Sequence, residues 1–437
     1  MFTITTNYFG PIQPFVINSL RTEKNLTSPI MNTRHSPSGR NPSFDSSSRP
    51  NFGVRQANLS HVLTLVHQYG RIKRSDMTMI TGLNRSTVLD LVTDLQSHGL
   101  VTQTRTSGVG EIGRPSIEVA ASDSIVGFVV IPRLGEITVG IVGLSGRVIS
   151  RKRQVLPPGA SPEETARLAG DIINDLRSTL DPRAKIAGVG VAAPGQVRVL
   201  IGDVRWAPSL GWRETSFATI LATHTNLPVL LDNDASLACA AEQTFGAGAG
   251  FVNMVFLIGV PGGLGGGAVV NGELLRGHHG YAGELGHMRI SDSENKDYSG
   301  IPGTLEAMVV REELVTAVSL GDADDEQLFD ALREHHREPE VSSVLDRHVH
   351  YLGRAIGLLL VAMNPEVVVL SGFLEIHLEL RKEQLLAEIQ SQALPFALEG
   401  VDIRPGSMGS NLLLVGTAEL SFQALLQDPL GCELASA

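Results

Sequence analysis

The apolar residues of this chain change their period partway along it, and that change limits what it can fold into. From Arg55 to Gly99 they recur at helical spacing; beyond Ser122 they gather into short runs rich in β-branched residues, separated by helical stretches. Leu59, Val62, Leu63 and Val66 fall at i, i+3, i+4 and i+7, one stripe that predicts a helix with a single buried face. A short helix is expected from Arg74 to Thr81, then a turn through Gly82-Leu83, then a helix burying Val88, Leu91, Val92 and Leu95. Asn84 suits the N-cap of this last helix and Gly99 its stop, because the Asn oxygen accepts an unpaired N–H and glycine tolerates a left-handed turn. Leu100 to Thr106 and Ser116 to Ala120 read as strands around a glycine-rich tip ending in Gly113-Arg114-Pro115, which makes a wing.

Beyond Ser122 the expected strands are Ile125 to Ile131, Ile137 to Leu144, Ile186 to Val191, Val229 to Leu231, Met254 to Ile258, Ala268 to Val270 and Val367 to Leu370. Helices fall between them, after Pro162 and from Ser236 to Gln243. That alternation is the signature of an α/β fold, and a stretch this long fits two similar lobes better than one core. The expected division is a tail over residues 1–50, a winged helix-turn-helix domain over 51–121 and a two-lobed domain over 122–437. The tail is rich in Ser, Pro, Asn and Thr and cannot bury enough apolar surface to offset its ordering entropy, so disorder is expected there, and Met31 within it is an alternative start.

Charge is unevenly spread. The chain carries a formal net charge of -11, yet residues 1–120 hold 12 Lys/Arg against 7 Asp/Glu, leaving 23 against 39 for the rest. The basic end is where a polyanion would dock. The two cysteines, Cys239 and Cys432, are far apart and indicate neither a disulfide framework nor a thiolate zinc site. No apolar run approaches a membrane span, so a soluble, cytoplasmic protein with no membrane partner is expected.

A helix pair joined through Thr81-Gly82-Leu83-Asn84 has the angle that lets the second helix enter a major groove. Its core face leaves Arg85, Ser86, Leu89, Asp90 and Thr93 outward, with Thr87 in the first turn beside Arg85 and Ser86. Arg85 can donate to guanine or phosphate, Leu89 can meet a thymine methyl, and Arg114 at the wing tip is placed for phosphate or the minor groove. A protein-binding bundle is the alternative, and the outward Asp90 and Asp94 favour it. The local basic balance, the capped outward arginine and the Gly-Arg-Pro tip favour DNA.

Asp232-Asn233-Asp234-Ala235 follows a strand and opens a helix, where α/β proteins place ligand-binding side chains. Asn233 and Asp234 can bond hydroxyls there, or simply cap the helix. Gly262 to Gly267 lies between two strands; Gly263, Gly265 and Gly266 could bring backbone N–H groups to a phosphate, or form a tight hairpin without ligand. Glu284, His287 and Glu306 then follow in order.

The ordered set of motifs resembles the ROK family (repressor, open reading frame, kinase) and its winged-helix repressor branch, from about residue 55 to the C-terminus. It comprises Gly188-Val189-Gly190-Val191-Ala192-Ala193-Pro194-Gly195, Ala207-Pro208-Ser209-Leu210-Gly211-Trp212, Asn233-Asp234-Ala235, Asn271-Gly272-Glu273-Leu274-Leu275-Arg276-Gly277, Gly283-Glu284-Leu285-Gly286-His287, Leu305-Glu306 and Asn364-Pro365-Glu366-Val367-Val368-Val369-Leu370. The resemblance implies an actin- and hexokinase-like fold with a sugar in its cleft, its hydroxyls held by Asn233, Asp234, Glu284, His287 and Glu306. It also implies where this chain departs from the family. Family members often hold structural zinc through a His and three Cys; here Asp297, Ser299 and Thr304 stand at the Cys positions, a poor zinc set, so no metal is expected and packing should hold the loop. The D-x-G-G-T phosphate loop of the family's kinases corresponds to Ile131-Pro132-Arg133-Leu134-Gly135, without the carboxylate and the glycine pair, and Pro261-Gly262 replaces the Gly-Thr of a second loop. Phosphoryl transfer depends on positioning phosphate and metal, so a kinase-inactive domain with no catalytic residue and no cofactor is expected, Asp234 accepting a hydroxyl rather than working as a base.

The expected protein is a sugar-responsive regulator, in the repressor sense, of carbohydrate-metabolism genes. Its expected partners are double-stranded operator DNA with an inverted repeat, a sugar or sugar phosphate effector, and further copies of itself as a homodimer or higher homo-oligomer. The rival readings are a ROK sugar kinase with an appended DNA-binding domain and a regulator that senses a partner protein. The short segment from Arg114 to Ser124 is the expected transmitter between ligand cleft and DNA reader.

Overall fold

The computed structural model describes residues 50–106, 116–157, 159–199, 201–321 and 323–437. The tail expected over residues 1–50, except Pro50, lies outside them, as do Arg114 and the glycine-rich wing tip.

The N-terminal unit runs α1 (Pro50–Tyr69), β1 (Arg71–Lys73), α2 (Arg74–Thr81), α3 (Arg85–Ser97), β2 (Val101–Thr106) and β3 (Ser116–Ala121), with β3 antiparallel between β1 and β2. Leu59, Val62, Leu63 and Val66 are buried as their spacing requires, against Met77 of α2 and the buried face of α3. Gly82, at φ 67°, stops α2 in the left-handed region that glycine adopts at no steric cost. Asn84 Oδ1 accepts the Thr87 N–H at 2.8 Å and starts α3. β1 was not legible beforehand, since three residues carry no period.

The first lobe follows: β4 (Ile125–Arg133), β5 (Glu136–Gly143), β6 (Val148–Val155), α4 (Pro162–Arg177), β7 (Lys185–Ala193), then β8 (Gln196–Arg198), β9 (Asp203–Ala207) and β10 (Trp212–Thr215), then α5 (Phe217–Thr225), β11 (Val229–Asn233) and α6 (Asp234–Phe245). The main sheet has the order β11–β7–β4–β5–β6, with β11, β7 and β4 parallel, so Asn233, Ala193 and Arg133 end neighbouring strands at one edge. β8, β9 and β10 form a small antiparallel sheet beside it.

The second lobe contains β12 (Met254–Val260), β13 (Gly263–Val270), β14 (Glu273–Leu274), α7 (Leu305–Met308), α8 (Arg311–Ala317), α9 (Asp325–His335), α10 (Pro339–Met363), β15 (Val367–Gly372), α11 (Glu375–Gln392) and β16 (Asp402–Pro405), its sheet ordered β14–β13–β12–β15–β16. The chain then returns: α12 (Leu412–Gln427) packs on β4, β7 and α6, and β17 (Ala435–Ser436) pairs with β7.

The glycine run departs from expectation. Only Pro261 and Gly262 form a turn; Gly263 to Gly267 are strand β13, paired residue by residue with β12. Their small size is what matters, because a Cβ on Gly265 would stand 2.6 Å from the Ala235 Cβ of α6 and one on Gly266 would stand 2.8 Å from the Leu285 Cβ. Gly265 and Gly266 therefore let α6 and the 285 region lie directly on the sheet, and Gly263 makes room for the Glu306 carboxylate, instead of the run forming a free phosphate-binding loop.

One hydrophobic core runs from the N-terminal unit into the first lobe, joining Leu63 and Val66 to Leu144, Leu237, Ala418 and Phe422. At its centre His67, 1% exposed, reaches the Leu144 carbonyl through Nδ1 and the Glu419 carboxylate of α12 through Nε2 at 2.9 Å. Both partners are acceptors, so both ring nitrogens carry hydrogen and the ring is an imidazolium. Burial opposes that charge, but the Glu419 charge and the hydrogen bonds outweigh it and raise the His67 pKa. Phe245, the last residue of α6, meets the same ring edge-on at 5.4 Å.

Candidate functional site

The outward face of α3 presents Arg85, Ser86, Leu89 and Asp90 to solvent, with Thr87 half-buried behind them. Ser86 is less free than its exposure implies, since its hydroxyl donates to Asn84 Oδ1 at 2.7 Å and reinforces the cap. Asp94, a charge that counted against DNA, is paired with Arg55 of α1, which reduces its repulsion toward a polyanion.

Between the lobes lies a pocket. The β7–β8 junction (Gly195, Gln196, Val197) and the start of α6 (Asn233, Ala235, Ser236) line one side; Gly266 and the segment from Gly280 to Glu284 line the other. Asn233 lies here and also caps α6: its Oδ1 accepts the Ser236 N–H and its Nδ2 donates to the Gly195 carbonyl, both at 2.9 Å. The helix-cap reading of this residue is thus correct, though the second lone pair of the oxygen and the second hydrogen of the nitrogen are not used by those two bonds. Asp234 begins α6 and bonds the Ala235 N–H at 2.8 Å. Burial raises its pKa, against the opposing positive charge of Arg133 at the end of β4. Burial likewise raises Glu284, with His287 opposing and the charges of Asp234 and Glu306 adding to the rise.

Glu306 sits in a neighbouring cavity with Gly263, Asp297 and Tyr298. Its Oε2 accepts the Leu264 N–H at 2.9 Å and its Oε1 the Tyr298 N–H at 3.2 Å. One His287 ring nitrogen lies within 4.8 Å of an Asp297 oxygen and a Glu306 oxygen, a trio of groups able to face one cation. Of the five residues singled out from sequence, Asn233 and Glu284 line the inter-lobe pocket and Glu306 the adjacent one, while Asp234 and His287 line neither but lie close enough to Glu284 for their charges to act on it.

The His287, Asp297, Ser299 and Thr304 positions do not fit a structural zinc. His287 Nδ1 already meets Asp297 Oδ2 at 2.8 Å, and both hydroxyls donate to the same carboxylate, Ser299 at 2.7 Å and Thr304 at 2.9 Å. Hydrogen bonds to Asp297 hold this loop, where packing was expected.

Two further groups escaped sequence reading. Arg276 donates to Asp232 at 2.8 Å and ties the β14 hairpin of the second lobe to the end of β11 in the first. The signal was available: an aspartate directly after the apolar run Val229 to Leu231, within the same strand, has to find a cation when it is buried. Arg133 carried no such signal, because its bearing on Asp234 depends on strand order.

Fold and site together define a class: a winged helix-turn-helix unit joined to a two-lobed α/β domain with a polar cleft between its lobes. The ROK family model matches residues 135–424. A putative xylose repressor of Caldicellulosiruptor sp. (strain Rt8B.4) is 25% identical over 393 residues, 86% of this chain and 98% of that protein. A glucokinase of Halalkalibacterium halodurans is 29% identical over 268 residues, 58% of this chain and 81% of that protein. Among solved structures, a ROK family transcriptional regulator described as a homolog of the E. coli MLC protein superposes with a TM-score of 0.70 at 22% identity, covering 86% of this chain and 98% of that one. The chain belongs to the ROK family.

Proposed function

We propose that this chain is a sugar-responsive DNA-binding repressor of carbohydrate-metabolism genes, with residues 51–121 as DNA reader and 122–437 as effector domain. The carrying observation is the continuous core that seats the reader on the lobe whose strand ends form the cleft, so a change in the cleft has a packed route to α3. The similarity to a protein named a putative xylose repressor extends over 86% of the chain, reader included, whereas the similarity to the glucokinase covers 58%.

In this reading Arg85, Ser86, Leu89 and Asp90 face base edges, with Thr87 in the same turn, and Arg114 meets phosphate or the minor groove. Asn233, Asp234, Glu284, His287 and Glu306 hold the hydroxyls of a sugar or sugar phosphate. Arg133 occupies the degenerate phosphate loop, which has no carboxylate to place magnesium, so the domain binds sugar without phosphorylating it. A homodimer on an inverted repeat matches one short reader per chain. An exposed apolar stretch supports self-association: Leu358 and Val361, 45% and 49% exposed, lie one turn apart on α10, and Phe396, 81% exposed, follows α11.

The test is fluorescence anisotropy with DNA from around the chain's own gene, titrated with and without xylose, glucose and their phosphates. Specific binding that shifts with one sugar is expected. ATP-dependent phosphorylation of those sugars at rates typical of kinases would replace this reading with the kinase one.

A further inference from the structure

We infer that the Asp297 carboxylate stands in for the metal that the family resemblance implies for this loop, acting as a positioning residue that orients His287 and Glu306 without a cation. The geometry is centred on one side chain, fully buried. Its Oδ2 meets His287 Nδ1 at 2.8 Å and accepts the Thr304 hydroxyl at 2.9 Å; its Oδ1 accepts the Ser299 hydroxyl at 2.7 Å and the Ser299 and Ile301 N–H groups at 2.9 Å.

His287, Ser299 and Thr304 are the other three positions at which the family pattern supplies metal ligands. All three turn toward the fourth. A metal organises such a loop by drawing several donors to one point; here a buried anion draws hydrogen-bond donors to the same point, and charge-assisted bonds of this kind are the strong ones. The carboxylate has about four lone-pair sites and takes five donors, so a cation joining it together with His287 and Glu306 would first have to displace hydrogen bonds already made.

The consequences reach the cleft. Thr304 also caps α7, accepting the Ala307 N–H at 3.2 Å, and α7 carries Glu306. Tyr298, next to Asp297, gives its N–H to Glu306. Asp297 therefore fixes the His287 ring through Nδ1, leaving Nε2 clear of this hub, and holds Glu306 from both sides. That the two residues serve sugar binding rests on the proposed function; that Asp297 replaces the metal does not.

The experiment uses the full chain. Metal content by mass spectrometry and melting temperature before and after dialysis against a chelator are measured first, then hydrogen exchange over residues 288–304 in the wild type, Asp297→Ala and Asp297→Asn. A triple variant, Asp297→Cys, Ser299→Cys and Thr304→Cys, is measured with and without added zinc. The expected results are no stoichiometric metal, no effect of chelator, faster exchange over 288–304 in the Asp297 variants, and protection that depends on zinc in the triple variant. Xylose and glucose affinities, by thermal shift, should fall on the order of 10- to 100-fold in the Asp297 variants, as for orienting partners elsewhere, and recover in the zinc-loaded triple variant. Stoichiometric zinc whose removal lowers the melting temperature overturns the inference, as does wild-type exchange in Asp297→Ala. If neither variant folds, the chelator result decides. Should the wild type bind neither sugar, the effector reading fails while metal content and exchange still judge Asp297.

Discussion

Asp234 and Glu284 are carboxylates in a cleft that raises their pKa values by burial, and such groups gain most from partners that bring hydrogen-bond donors. Under the proposed function Asp234→Ala should weaken sugar binding by about 1 to 3 kcal/mol, leaving a hydroxyl without its acceptor, while operator affinity without sugar stays near wild type. Isothermal titration with sugar and anisotropy with operator measure the two separately. Arg85→Ala should cost roughly 1 to 3 kcal/mol of operator binding and relax specificity at one base pair if the arginine makes a bidentate guanine contact. An unchanged sequence preference in a binding-site selection removes it from the reading role. Asp297 carries a pH signature: burial would raise its pKa, but the hydrogen bonds from Ser299, His287, Ile301 and Thr304 win and lower it from the ordinary 3.8 to about 2. A lowered carboxylate stabilises the fold above its unfolded pKa and loses that contribution as pH falls through the folded one. The loop should therefore begin to lose protection below about pH 4, in hydrogen exchange over 288–304.

At the scale of elements, the contact between α6 and β13 sets the cleft, since α6 starts with the candidate ligand residues and β13 supplies its opposite wall. Gly265→Ala would place a methyl 2.6 Å from the Ala235 Cβ, a rigid neighbour, and α6 would have to move. The expected loss is about 1 to 3 kcal/mol of stability, seen as a lower denaturant midpoint, together with weaker sugar binding. The reader has a corresponding weak point in Asn84, whose cap bond starts α3 and whose replacement by Ala should cost about 1 kcal/mol.

Across the whole molecule, two links besides the shared apolar core join the N-terminal unit to the first lobe among the described residues. One is the short passage from β3 into β4; the other is His67, which joins α1 to α12 and touches the far end of α6. α6 thus runs from the candidate sugar residues to the imidazolium of the reader, a packed route separate from the strand junction. His67→Gln should destabilise the chain by about 1 to 3 kcal/mol and reduce the effect of sugar on operator affinity more than it reduces either binding alone. Its pKa is raised in the folded state, so the stabilisation is complete below the ordinary 6.5 and is lost as pH rises through the folded value. Melting curves against pH should find wild type and His67→Gln furthest apart on the acidic side and converging under alkaline conditions.

Much of this was written locally in the chain. Helical spacing placed the buried faces of α1 and α3, cap chemistry placed Asn84 and Gly82, and alternating apolar runs placed most strands of the two lobes, because such preferences act between residues a few positions apart. The ordered polar motifs likewise located Asn233, Asp234, Glu284, His287 and Glu306. What the sequence could not decide depends on distance through space. Glycines 263 to 267 read as a loop until β12 and α6 were set beside them, because backbone freedom and the need for small size look the same in one dimension. Asp297 looked like a lost metal ligand until His287 and Thr304 were seen to converge on it. His67 looked like one more residue on a helix, since its partner Glu419 is 352 positions away and no periodicity links them. Local preferences are encoded residue by residue; a buried charge finds its partner only after the chain has folded around it.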